Sequence, residues 1–101
     1  MQLKTLTLLQ ALAALDGHAE RLPDGAVRIS ALPRPHGDHF HLGPAVVLAR
    51  DASGLANPAA WTALERKGLI RSEFPVAAVL TPEGLAYDTG PARQILHLAQ
   101  H

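Results

Sequence analysis

The stretch Ala63-Leu64-Glu65-Arg66-Lys67-Gly68-Leu69-Ile70-Arg71, followed by Val79-Leu80-Thr81-Pro82-Glu83-Gly84, decides the fold. Ala60, Trp61 and Leu64 share one face of a helix, Gly68 stops it, and Leu69 and Ile70 then place their side chains in the same core as Val79 and Leu80. The start is equally marked: Asn57 is a preferred N-cap and Pro58 suits the first helical position. Two short extended runs, residues 69–73 and 76–80, are separated by Phe74-Pro75 and predict a tight hairpin. Thr81-Pro82-Glu83 opens another short helix by the same capping logic.

Working outward, residues 2–15 read as a helix with two apolar stripes, Leu8, Ala11, Leu12 and Leu15 on one side and Leu6, Leu9 and Ala13 on another. Two apolar faces ask for two partners, the domain's own core and a second subunit. Lys4 ahead of the apolar residues 6–15 also resembles a targeting segment, but Gln10 interrupts the run, and a helix of the domain is the expectation. Asp16-Gly17 ends that helix. Pro23-Asp24-Gly25 is a turn signal, and Ala26-Val27-Arg28-Ile29-Ser30 alternates like a half-buried strand. The proline-rich Leu32-Pro33-Arg34-Pro35-His36-Gly37-Asp38 is a loop leading to a second strand at residues 39–42. Residues 45–50 carry opposed signals: Val46 and Val47 favour a strand, and Pro44 suits the first turn of a helix. A short helix is expected there, followed by a turn over 51–56. Gly90-Pro91 precedes a final helix, residues 91–100, in which Ala92, Ile95, Leu96 and Ala99 repeat as a single apolar stripe.

The order of helix, Gly68, Leu69-Ile70, hairpin, Leu80-Thr81 and short helix resembles the recognition helix, wing and post-wing segment of winged helix-turn-helix proteins. It is most similar to bacterial transcriptional regulators of the multiple-antibiotic-resistance and phenolic-acid-repressor type. The resemblance covers residues 57–87 and extends to the first helix, whereas residues 18–43 lie outside it. It implies one α+β domain over residues 1–101, of winged-helix type, to which residues 25–42 add a proline-interrupted β-hairpin in the N-terminal half that departs from the family pattern, and residues 91–100 a C-terminal helix. It also implies that helix 57–67 enters the major groove of duplex DNA and that Arg71 sits on a phosphate. The hairpin tip departs from the family pattern, because Ser72-Glu73-Phe74-Pro75 carries no Arg or Lys.

Helical geometry turns Ala59, Thr62 and Arg66 outward, with Ala63 and Glu65 on the flanks. Thr62 and Arg66 are the expected base-reading residues, and Lys67 and Arg71 complete the DNA-binding set. Against Glu65 and Glu73 these cations leave the unit with about one net positive charge, so duplex affinity gains from a homodimer that doubles the contacts. Helices 2–15 and 91–100 are the expected dimer surfaces. A different class remains open beside this one, a winged-helix protein-interaction module that does not bind DNA. The neutral charge and the alanine-rich helix face favour it.

Composition bounds both readings. The chain has 101 residues, 48% hydrophobic and 18% charged, with 9 Lys+Arg against 9 Asp+Glu and no cysteine. That describes one small globular domain with a core of alanine and aliphatic side chains, and Phe40, Trp61, Phe74 and Tyr87 as its aromatics. A strongly basic nucleic-acid binder is excluded, as are disulfides, thiolate metal sites and cysteine nucleophiles. Absence of cysteine fits a reducing, cytoplasmic setting, and no apolar run reaches the roughly 20 residues a bilayer needs. His36, Asp38, His39 and His41 lie within six residues. On a strand His39 and His41 face the same way, so these four are the candidate metal ligands, although an exposed polar loop explains them without a metal. No nucleophile elbow, phosphate-binding loop or helical zinc motif is present, and neither an enzyme nor a cofactor is expected.

Overall fold

The structure, a computed structural model, describes residues 2–15, 17–30, 32, 38–42 and 45–98. Of residues 40 and 98 it describes the backbone alone. Helix α1, Gln2–Ala13, lies at the centre of the core and buries Leu6, Leu8, Leu9 and Leu12 completely. Both of its apolar stripes are covered by the chain itself: β2 (Val27–Ile29), β6 (Ala77–Leu80), α2 (Pro58–Arg66) and two 3-10 helices, Ala49–Ala56 and Gly90–Ile95, pack around it. Ala11 and Leu15 of the first stripe remain half-buried.

The first sheet has the antiparallel order β1-β2-β6-β5, with β1 at Ala19–Arg21 and β5 at Ile70–Glu73. The alternation expected over residues 26–30 holds, since Val27 and Ile29 are buried and Arg28 is half-buried. Val27 pairs with Leu80, which pairs with Ile70, and this row faces the core with Ile29 and Ala78. The β1–β2 turn is held by a Leu22 N–H to Ala26 carbonyl bond and by Gly25 at φ 89°, a conformation that favours glycine.

Two expectations are corrected in the second sheet, whose order is β3-β4-β7. Residues 45–50 do not form a short helix: β4, Ala45–Leu48, is a strand paired on both sides, with β3 (His39–Leu42) and β7 (His97–Leu98). Its β-branched Val46 and Val47 prevail over the local helix-start signal because a strand at this place finds two neighbours. Residues 51–56 are not an irregular turn but belong to the 3-10 helix Ala49–Ala56. At the other end, the expected helix over 91–100 is replaced by the 3-10 helix Gly90–Ile95 and strand β7. Of its stripe, Ile95 is buried in the core and Leu96 packs half-buried against it, while Ala99 lies outside the described residues. Within the expected dimer surface, Ile95 therefore lies in the core and His97–Leu98 in the second sheet.

The unit read from residues 57–87 is built as its residues dictate. Asn57 Oδ1 accepts from the Ala59 N–H at 2.9 Å and starts α2, and Gly68 at φ 74° ends it. The β5–β6 turn includes a cis Phe74-Pro75 peptide, and a Val76 N–H to Glu73 carbonyl bond of 2.9 Å closes it. Thr81 Oγ1 accepts from the Gly84 N–H at 3.0 Å and so caps α3, Pro82–Ala86. Gly84 lies directly on the Leu69 carbonyl, where a Cβ would meet backbone.

Candidate nucleic-acid interface

Helix α2 presents two unlike faces. Ala60, Trp61 and Leu64 are buried, whereas Ala59, Thr62, Glu65, Arg66 and the following Lys67 are exposed and Ala63 is half-buried. Trp61 fixes the rotation of the helix. Its indole N–H donates to the Gly54 carbonyl at 3.1 Å, and the Phe74 ring stands edge-on to it with centroids 5.0 Å apart. The 3-10 helix before α2 and the hairpin after it are therefore joined through one side chain.

The outward face then has a definite charge pattern. Arg66 and Lys67 stand at the C-terminal end of α2, where the helix dipole favours cations, and neither forms an ion pair with a described residue. The neighbouring Glu65 is engaged, its Oε2 accepting from the Ser72 N–H at 3.0 Å. Thr62 lies on the same exposed face one turn earlier. Helical spacing puts Thr62 and Arg66 on one face of α2, and Lys67 follows at its C-cap.

Arg71 is placed differently. It projects from the outer face of the first sheet, and its Nη1 donates to Asp24 Oδ2 at 3.2 Å. Beside it Arg28 Nε donates to Glu73 Oε1 at 3.0 Å, so one ion pair between β2 and β5 and one between β5 and the β1–β2 turn flank the buried Val79 and Ala77 of β6. Sequence reasoning counted Glu73 against the hairpin cations but missed Asp24, which it read only as a turn residue. The ordinary signal for Asp24 is local: its Oδ1 accepts from the Ala26 N–H at 3.0 Å. That bond is the first cause of a carboxyl pKa below the usual aspartate value of 3.8, slight desolvation opposes it, and the Arg71 guanidinium adds to the lowering.

Of the four candidate metal ligands, His36 lies outside the described residues. His39 and His41 share a face of β3, both exposed, with rings edge-to-face at 5.5 Å, and Asp38 Oδ1 accepts from His39 Nδ1 at 3.1 Å. That bond holds the Asp38 carboxyl below its usual pKa. Among the described residues no group of three metal-ligating side chains converges. A shallow depression of about 150 Å³ beside Asp38, Leu48, Ala49 and Arg50 is smaller than the roughly 300 Å³ at which ligand pockets begin.

No described helix is long and apolar enough to cross a membrane. Comparison with protein-family models, with curated proteins and with solved structures found no match to this chain.

Proposed function

We propose that the chain is a duplex-DNA-binding domain of winged-helix type, of the kind found in transcriptional regulators, and that α2 lies in the major groove. Thr62 and Arg66 face base edges, and Lys67 and Arg71 face the phosphate backbone. The order of elements supports this reading: the 3-10 helix, α2, and the β5–β6 hairpin follow one another, and β2 lies beside β6 to complete a small sheet. The observation that carries it is the exposed pair Arg66 and Lys67, without an anionic partner among the described residues, on a helix whose other face is locked into the core.

The test is anisotropy of a labelled mixed-sequence duplex titrated with protein at about 50 mM and about 200 mM salt. Saturable binding that weakens with salt is expected. Lys67→Gln reduces the dependence of log K on log salt by about one and weakens binding several-fold, whereas Arg66→Gln, at a base edge, weakens binding by about 1–3 kcal/mol with little change in that slope. Sedimentation of the same samples reads whether a homodimer is the binding species.

One observation favours a second reading, the protein-interaction module. The hairpin tip carries no cation, and its Val76 is 65% exposed while the adjoining sheet face is internally neutralised. Absence of duplex binding at tens of micromolar protein would favour it.

A further inference from the structure

We infer that Asp24 restrains Arg71, so that the β1–β2 turn sets how strongly this surface grips a phosphate backbone. The inference rests on the duplex-binding reading and names the residue that tunes it. The strand pairing makes the contact possible. Val27, next after the turn, is aligned through Leu80 with Ile70, and this brings Asp24 to the end of the sheet where β5 follows the basic end of α2. There the Asp24 Oδ2 and the Arg71 Nη1 meet at 3.2 Å, about half of each side chain being exposed.

A carboxylate and a phosphodiester are both monoanions that present two oxygens to a guanidinium, so they compete for the same donors. An exposed pair of this kind is weakly held and a phosphate displaces it, but the contact then replaces an interaction instead of adding one. Arg71 therefore contributes less than one full phosphate contact as long as Asp24 is charged. The consequence is independent of sequence, because phosphate contacts carry no base information.

Asp24 has two separable jobs, and a single substitution divides them. Its Oδ1 holds the turn through the Ala26 N–H, whereas its charge holds Arg71. Asp24→Asn keeps an acceptor for the turn and removes the charge. Asp24→Ser, whose hydroxyl also accepts from that N–H, is the second variant. The experiment is the salt-dependent anisotropy titration on the wild type, Asp24→Asn, Arg71→Gln and the double variant, each checked for an unchanged thermal melt. Asp24→Asn is expected to steepen the slope of log K against log salt by up to about one. Affinity then rises several-fold at about 50 mM salt, and less at about 200 mM, for every duplex alike. Arg71→Gln abolishes that gain in the Asp24→Asn background and weakens the wild type by less than Lys67→Gln does.

If Asp24→Asn binds like the wild type while Arg66→Gln still weakens binding, the restraint is refuted and the duplex reading stands. A gain that survives Arg71→Gln also refutes it, since net charge alone would then be responsible. If neither the wild type nor either Asp24 variant binds duplex, the duplex reading falls and this inference with it.

Discussion

Gly84 shows how tightly the hairpin unit is closed. A Cβ at this position would overlap the Leu69 carbonyl, which is backbone and already accepts from the Thr81 N–H and hydroxyl. Neither partner can move without breaking the cap of α3. Gly84→Ala is therefore expected to destabilise the domain by about 1–3 kcal/mol or more, read as a lower urea midpoint. Some single residues were legible in the sequence for simple reasons. Asn57 and Thr81 act within three residues of themselves, and Trp61 sits between Ala60 and Leu64 on an apolar face, so local pattern identified the caps and the buried indole. Asp24 was not legible as a partner of Arg71, because that contact spans 47 positions and depends on how two hairpins align.

At the scale of elements, the helix α2 depends on its first turn. Asn57→Ala removes the acceptor for the Ala59 N–H, and a stability loss of about 1 kcal/mol is expected from denaturant titration. The exposed face of α2 keeps its residues, so duplex binding measured well below the melting temperature should change little. Elements of the 57–87 unit were readable because each is bounded by its own signals: Asn57-Pro58, Gly68, and Thr81-Pro82. The second sheet was not readable in the same way. Strand β4 is stabilised by β3, immediately before it, and by β7, about fifty residues later, and no window around Pro44 contains that second partner. The C-terminal stripe shows the complementary error. Ala92, Ile95 and Leu96 have helical spacing, but a 3-10 turn followed by a strand buries Ile95 equally well while supplying β4 with its neighbour.

For the whole molecule, electrostatics is a matter of local pairing within a chain of zero net charge. Lys4 with Asp51, Arg28 with Glu73 and Arg71 with Asp24 are all surface pairs, and such pairs add little to stability singly. Their pH signature is nonetheless defined. Asp24 and Asp38 have folded-state pKa values below 3.8, so their contribution is fully present above the unfolded value and lost as the pH falls through the lowered ones. Urea midpoints are expected to fall as the pH drops through 3.8 and below, and Asp24→Asn to show the shallower decline.

The mixed α+β class was visible from the alternation of capped helices and short strands, yet the centrality of α1 was not, because its two stripes look the same whether covered from within or by another copy. Thr7 makes the point at atomic scale: its hydroxyl donates to the Leu3 carbonyl at 2.9 Å, leaving Thr89 to donate to it across 2.8 Å from the far end of the chain. This arrangement has a consequence in time. On the ribosome α1 emerges well before β6 and the Gly90–Ile95 segment that cover it, so its leucines are not fully covered until those later elements of the domain have been made. The domain therefore folds late in its own synthesis, and the interval before its last elements emerge is when this segment is most open to aggregation or to capture by a chaperone.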